Sequence, residues 1–183
     1  MSSVNTNLHS LLQSKKPYFA SDRMEHFDYS KFHGVPRTTT PASEGSVDLS
    51  RVKGTVHSNY SGSTWLELLP TNPDDFTHLE YWERLRHEGK MKRGWRCLQA
   101  MRENPTYYLN EGEKEHWGFY KIGGDYYISE GNHRTVVARF LLALNERPEI
   151  VRGVSVTEFH IQSTVPNRRR RGLWECVRGW VFA

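Results

Sequence analysis

The chain has 183 residues, which is about one domain on a prior of roughly 100–200 residues per domain, and it can bury a core without disulfides. Its net charge of +4 and sequence pI near 9.1 fit contact with phosphates but exclude a histone-like charge density. An aromatic content of 13% excludes wholesale disorder, although the mean hydropathy is −0.72.

The cysteine spacing and the hydropathy of the chain indicate in which cellular compartment the protein is found. Cys97 and Cys176 lie outside any C-x-x-C pattern, so we expect reduced, partly buried thiols and no disulfide framework or zinc site. Residues 1–16 lack a signal-peptide pattern, and the longest apolar stretch, Val136–Leu144, is interrupted by Arg139 and is shorter than the ~20 residues of a membrane span. We therefore expect a cytoplasmic protein without membrane insertion.

The first 45 residues have little helical periodicity, and Ser, Thr, Pro and Gly cluster from Pro36 to Ser46. We predict an N-terminal arm and linker over residues 1–45 and one domain with a basic C-terminal extension over residues 46–183. The aromatic residues of the arm indicate that it packs on the core or on a second copy of the chain.

Next in the chain come a predicted strand and two predicted helices. Ser63–Leu69 reads as a short strand closed by Pro70. One amphipathic helix follows the turn signal at residues 72–75 and ends at Gly89, and a second includes Trp95, Leu98 and Met101 and stops before Pro105.

The clearest local pattern follows. Trp117–Lys121 and Asp125–Ser129 flank Gly123-Gly124, which predicts a tight β-hairpin. Apolar residues between Val136 and Leu144 then form one broad helical face, and Gly153–Ile161 reads as another strand. The fold class predicted from these elements is α+β, with a mixed sheet flanked by helices.

A strand leads directly into a helix at Ser129-Glu130-Gly131-Asn132-His133-Arg134. The first amides of a helix lack internal acceptors and carry the positive end of the helix dipole, so this terminus can bind an anion. Gly131 allows close backbone approach, and Asn132, His133 and Arg134 add side-chain donors for phosphate oxygens.

Glu130 has two interpretations. It could hold Mg²⁺ that bridges to phosphates, or orient or deprotonate a water. Alternatively, it only complements the helix dipole and pairs with Arg134 four residues later.

The Gly131-Asn132-His133-Arg134 box, between a strand and an apolar helix, resembles the ParB/sulfiredoxin superfamily, over roughly residues 63–162. ParB-type proteins carry Gly-Glu-Arg-Arg here and sulfiredoxins carry Gly-Cys-His-Arg. Asn132 occupies the sulfiredoxin cysteine position, which excludes sulfinic acid reduction. Because only residues 162–183 follow the last predicted strand, we do not expect the helix-turn-helix domain of ParB partition proteins.

The remaining resemblance is to small stand-alone members such as the plasmid fertility-inhibition proteins, including the oncogenic suppression protein. It implies a bacterial cytoplasmic protein with ATP hydrolysis, DNA cleavage, inhibition of conjugative DNA transfer and contact with a DNA-transfer secretion machine. We expect Gly131, Asn132, His133, Arg134 and Thr135 to cradle the phosphates of ATP. Glu130 would position Mg²⁺ or water, and Arg134 would offset charge that develops in the transition state. Glu130, His133 and Arg134 would be the catalytic residues.

Two basic clusters are candidate DNA contacts, because arginines bind phosphates without reading sequence and tryptophans stack on unpaired bases. The clusters are Arg168, Arg169, Arg170 and Arg171, near Trp174 and Trp180, and Lys92 with Arg93. The alternative is a solvated basic turn before a packed C-terminal helix and, for Lys92 and Arg93, an exposed helix face.

Two other functions fit the same box. A binding module would use the nucleotide as a switch for docking on a partner, with little or no turnover. A small-molecule kinase would transfer phosphate to an amino acid instead of to water.

Overall fold

The computed structural model describes residues 3–69 and 94–161. Helices and strands alternate irregularly along this part of the chain. The helices are α1 (Leu8–Ser14), α2 (Trp65–Leu68), α3 (Gly94–Glu103), α4 (Thr106–Leu109) and α5 (Asn132–Leu144). The strands are β1 (Glu25–His26), β2 (Arg37–Thr40), β3 (Ser46–Asp48), β4 (Val52–Thr55), β5 (Gly118–Ile122), β6 (Asp125–Glu130), β7 (Ile150–Arg152) and β8 (Ser155–Phe159).

Six of the strands form one mixed sheet in the order β1-β4-β6-β5-β8-β2. Strands β1, β4 and β6 are parallel, β5 is antiparallel to β6, β8 is parallel to β5, and β2 is antiparallel to β8. Strands β3 and β7 form a separate antiparallel pair. The α+β prediction is confirmed, as one domain with helices and a mixed sheet.

Helix α5 lies at the centre of the core. Every residue from Thr135 to Leu142 is buried, since α5 contacts α1, α2, α3 and β6. An apolar surface on most sides suits a helix enclosed by other elements. The exception, Arg139, is 2% exposed, and its guanidinium lies between aromatic rings of the N-terminal segment and α2.

The N-terminal 45 residues are part of the domain and not a separate arm. β1 and β2 form both edges of the main sheet, and Leu8, Phe19 and Met24 are buried in the core. The segment therefore packs on its own core, one of the two predicted outcomes. Its helical turns and strands are too short to produce a readable periodicity, which is why the sequence indicated a linker.

Ser63–Leu69 was expected to be a strand, and this prediction is wrong. Trp65–Leu68 is helical because Thr64 and Glu67 form a capping box. The Thr64 hydroxyl accepts from the Glu67 amide at 3.2 Å, and the Glu67 carboxylate accepts from the Thr64 amide at 2.7 Å. Such a box satisfies two amide donors at a helix start and outweighs the strand preference of a short apolar run.

The remaining predicted elements within the described ranges agree with the structure, whereas β3, β4, β7 and α4 were not predicted. β5 and β6 form the predicted hairpin around Gly123-Gly124, and α3, α5 and β8 occupy the predicted segments. Cys97 is half-buried as expected, and burial raises the pKa of its thiol. The helix predicted around Leu79–Leu85 and the C-terminal helix lie outside the described residues, as does Cys176. No helix in residues 3–69 and 94–161 combines the length and apolarity needed to span a membrane.

Candidate functional site

The predicted strand-to-helix junction lies at the carboxyl edge of two adjacent parallel strands. β4 and β6 pair Thr55 with Ile128, so the chain leaves both strands at the same edge of the sheet. The loop after β4 carries His57 and Tyr60, and α5 follows β6. Crevices outside the carboxyl ends of parallel strands are the usual ligand sites of open α/β sheets.

A third segment reaches this edge through the hairpin. Because β5 is antiparallel to β6, Gly118 at the start of β5 pairs with Glu130 at the end of β6. His116 and Trp117 therefore lie beside the first turn of α5. The His116 backbone has a φ of 54°, which marks a sharp turn of the chain before β5.

Gly131 is the N-cap of α5 and has a φ of 82°, in the left-handed region. A β-carbon there would lie 2.8 Å from Cδ1 of Trp117, so the close packing of the indole requires glycine. No side chain caps this terminus, and the first helical bond runs from the Thr135 amide to the Gly131 carbonyl at 2.9 Å. The amides before Thr135 have no intrahelical acceptor and offer donors to an anion.

Asn132, the first residue of α5, has an unusual environment. The residue is 5% exposed, and its Oδ1 is enclosed with no hydrogen-bond donor among the described residues. A buried acceptor without a donor costs about 1–3 kcal/mol. A donor placed at Oδ1 would remove this cost, but the enclosed oxygen is not accessible to a ligand at the surface of the α5 terminus.

Thr135 faces inward, away from a ligand. It is fully buried, and its Oγ1 accepts from Nε1 of Trp117 at 2.8 Å and donates to the Gly131 carbonyl at 3.1 Å. Its amide also donates to Gly131. The side chain predicted to cradle phosphate is thus committed to holding Trp117 and Gly131 together.

Arg134 is half-buried and fastens the segment before β5 to α5. Its Nη1 donates to the Tyr107 hydroxyl and to the Glu115 carbonyl, both at 2.8 Å, and its Nη2 donates to the His116 carbonyl. The guanidinium also lies 5.5 Å from the centre of the Trp117 ring. Much of its donor capacity is therefore used inside the protein.

Lys114 fixes the other end of the same segment. The side chain is 1% exposed, and its Nζ donates to the carbonyls of Asn110 at 3.0 Å, Gly112 at 2.9 Å and Arg152 at 2.7 Å. Burial lowers the pKa of its ammonium. Since Lys114 and Arg134 hold residues 110–117 from both sides, the backbone of His116 has a fixed position at the site.

Glu130 does not pair with Arg134. Its Oε1 lies 3.5 Å from Nδ1 of His116, and both side chains are largely exposed. The expected pairing needs both residues on one helix four positions apart, but Glu130 is the last residue of β6 and the left-handed Gly131 separates it from α5. Glu130 thus presents an accessible carboxylate next to an imidazole.

His133 lies on the other side of the terminus, towards the loop after β4. Its ring is half-buried and meets the Tyr60 ring edge-on, with centroids 6.0 Å apart. Tyr60 in turn lies 5.4 Å from His57, and burial raises the pKa of its phenol. The α5 terminus is therefore bordered by imidazoles from three segments, His57, His116 and His133.

The side chains at the α5 terminus offer few ligands for a metal ion. Within residues 3–69 and 94–161, no group of three or more His, Cys, Asp or Glu side chains is arranged to hold an ion. Mg²⁺ in phosphoryl-transfer sites is commonly held by one or two carboxylates together with substrate phosphates. The single exposed carboxylate of Glu130 meets that minimum.

The basic clusters predicted to contact DNA lie outside the described residues. This applies to Lys92 and Arg93 and to Arg168, Arg169, Arg170 and Arg171. The residues that the structure brings together are Glu130, Gly131, Asn132, His133 and Arg134, with Arg134 turned towards the protein.

Several neighbours of the site were not predicted. His116 could have been found, because the two open ends of a hairpin must meet and His116 precedes one of them. His57 and Tyr60 had no such signal, since the parallel pairing of β4 with β6 joins segments about seventy residues apart in the chain.

The chain was compared with protein-family models, curated proteins and solved structures, and none of the three comparisons found a match.

Proposed function

We propose that the chain binds a nucleoside triphosphate at the N-terminus of α5 and hydrolyses it. The observation that carries this proposal is the uncapped helix terminus at the carboxyl edge of two parallel strands. The resemblance of Gly131–Arg134 to the ParB/sulfiredoxin box supports the same ligand class.

The phosphates bind to backbone amides in this proposal. The amides of Asn132, His133 and Arg134 precede the first helical bond and carry the positive end of the α5 dipole. His133 adds an imidazole at the rim. Thr135 and Arg134 support this surface from behind, through Trp117 and residues 115–116.

Glu130 performs the proton transfer. Its carboxylate takes a proton from a water whose oxygen attacks the terminal phosphorus, and the bond from that phosphorus to the bridging oxygen breaks. The nucleoside diphosphate leaves with the electron pair, and inorganic phosphate is the second product. His116, 3.5 Å from Glu130, receives the proton from the carboxylate and returns it to solvent.

In the alternative role of Glu130, its carboxylate would hold Mg²⁺, and the ion would supply charge neutralisation for the phosphate oxygens. The chain's own contribution is to keep Glu130 at the strand end and to keep the amides in place behind it. The Gly131 conformation and the Trp117–Thr135 hydrogen bond provide that rigidity.

DNA cleavage is the second reaction in the proposal. Phosphodiester hydrolysis also attacks phosphorus, and an exposed Glu130 is accessible to a strand as well as to a nucleotide. Linear plasmid DNA should then shorten in the presence of the protein, and more slowly at high salt, because phosphate contacts weaken with salt.

One observation favours a second candidate, a nucleotide-switched binding module with little turnover. Arg134, expected to offset charge in the transition state, donates to three acceptors within the protein. A site whose arginine serves packing can still bind phosphates through amides but stabilises a transition state less. Nucleotide binding without phosphate release would identify this function.

Replacing Glu130 with glutamine should lower the rate of phosphate release from ATP and Mg²⁺ by roughly a hundredfold, because general base catalysis typically contributes that much or more. Thermal stability and the affinity for ATP without Mg²⁺ should remain close to those of the unaltered protein, since Glu130 is exposed and neither fills the core nor contacts the phosphates directly. Phosphate release and calorimetric titration of the same preparation measure both quantities.

Glu44→Gln is the matched control, because it removes an exposed carboxylate distant in sequence from the site. It should release phosphate at the unaltered rate. Undiminished release by Glu130→Gln would remove Glu130 from the mechanism, and no release by the unaltered protein despite ATP binding would favour the binding module.

A further inference from the structure

The sheet has a second, aromatic face. Side chains alternate along a strand, so Tyr120 and Tyr127 project away from the face where Phe119 and Ile128 join the core with α5. Tyr120 and Tyr127 lie in a group of mutually contacting rings, with centroids 4.6 to 6.2 Å apart. The other members are Phe27, Phe32, Tyr29 and Phe159.

A cavity of about 240 Å³ lies at one end of this face. Phe32 and Phe159, with centroids 5.3 Å apart, form its apolar wall. Tyr29 and His33 border it, with centroids 6.0 Å apart, and Tyr29 is 48% exposed. The cavity therefore presents several rings, one of them accessible to solvent, to anything that enters.

Arg37 also lines the cavity and supplies its charge. Arg37 pairs with Phe159 across the antiparallel strands β2 and β8, so the Arg37 side chain leaves the backbone beside the Phe159 ring. Within the described residues Arg37 has no ion-pair partner. Asp28, an acid nine residues earlier in the chain, lies 3.7 Å from Lys31 and accepts from Ser30. The cation is thus uncompensated at the mouth of an aromatic cavity.

We propose that this cavity binds a nucleobase whose adjacent phosphate contacts Arg37. Aromatic side chains stack on any base, and arginine binds phosphate oxygens through its planar fork. The volume is below the roughly 300–1,000 Å³ of sites for drug-sized ligands, which suits a single ring system. The free ligand is a nucleoside monophosphate, and the same chemistry is present at the end of a single strand.

This site is separate from the α5 terminus. β2 and β6 run in the same direction in the sheet, because β6 is antiparallel to β5, β5 is parallel to β8, and β8 is antiparallel to β2. Arg37 begins β2, whereas Gly131 follows the end of β6. The two sites therefore lie at opposite ends of the sheet, and one can fail without the other.

Calorimetric titration of the full chain with AMP tests the proposal. AMP should bind measurably. Ribose 5-phosphate lacks the base and adenosine lacks the phosphate, so each should bind at least roughly tenfold more weakly than AMP. Arg37→Gln should weaken AMP to the level of adenosine. Tyr29→Ala should weaken AMP by about tenfold through lost stacking.

Arg147→Gln is the control, since Arg147 lines a different cavity, with Leu109, Leu142 and Pro148, and should leave AMP binding unchanged. Equal affinities for ribose 5-phosphate and AMP would overturn the proposal, and so would an AMP affinity that Arg37→Gln leaves unchanged. AMP binding that is lost in His133→Asp instead of in Arg37→Gln would also overturn it, because AMP would then bind at the α5 terminus. A single-stranded pentanucleotide that binds more tightly than AMP, with the same loss in Arg37→Gln, identifies the strand end as the source of the base.

Discussion

Replacing Arg139 with methionine should lower the free energy of unfolding by about 3–5 kcal/mol, because it leaves a buried carboxylate without its cation. The Nε of Arg139 lies 2.9 Å from Oε2 of Glu149, and the two side chains are 3% and 12% exposed. The guanidinium also lies 3.9 Å from the centre of Phe19 and 4.3 Å from that of Trp65. One side chain thus joins α5, α2 and the N-terminal segment.

Chemical denaturation of the folded chain measures this loss. Lys15→Met provides the comparison, since Lys15 and Glu146 form an exposed pair at 2.6 Å that also joins the N-terminal segment to the end of α5. Exposed pairs contribute about 0–1 kcal/mol. Combining Arg139→Met with Glu149→Leu should recover much of the loss, because both buried charges are then absent. Equal losses for Arg139→Met and Lys15→Met would contradict the prediction.

Replacing Gly131 with alanine should cost about 2–5 kcal/mol and should also weaken nucleotide binding. A left-handed conformation costs a residue with a β-carbon roughly 1–2 kcal/mol. The added carbon would lie 2.8 Å from Cδ1 of Trp117, a buried ring held by its hydrogen bond to Thr135, so overpacking adds roughly 1–3 kcal/mol. Relief of the clash moves the α5 terminus away from residues 116–117.

Gly62→Ala separates these two contributions. Gly62 has a φ of 79°, close to that of Gly131, but a β-carbon there has no neighbour within 4 Å. It should show only the backbone cost and should leave nucleotide binding unchanged. The two variants should differ in their free energy of unfolding by the cost of the Trp117 clash, which chemical denaturation measures. A difference near zero would show that the Trp117 ring moves aside without a measurable cost.

The sequence predicted the elements whose signals are local. The hairpin follows from Gly123-Gly124 between two aromatic runs, and α5 follows from the apolar residues after Gly131. The junction between them, and with it the uncapped helix terminus, was therefore predictable. The helical α2 was also encoded locally, in Thr64 and Glu67, but the apolar run Trp65–Leu69 suggested a strand.

The long-range features could not be predicted in the same way. Both edges of the sheet come from the first 45 residues, where β1 has two residues and β2 has four, too few for a periodic pattern. The role of Arg134 depends on the carbonyls of Glu115 and His116, nearly twenty residues away. An arginine at a phosphate-binding box has the same sequence signature whether it faces a ligand or the protein.

Calorimetric titration of ATP and Mg²⁺ into the unaltered protein and into His133→Asp measures whether the α5 terminus holds the phosphates. An aspartate in the first turn complements the helix dipole by about 0.3–1 kcal/mol, so the fold should be retained, and the melting temperature provides that control. The added negative charge lies where phosphates would bind. We expect ATP affinity to fall by about tenfold or more; ATP that binds both proteins equally, or neither, would contradict a nucleotide site at this helix.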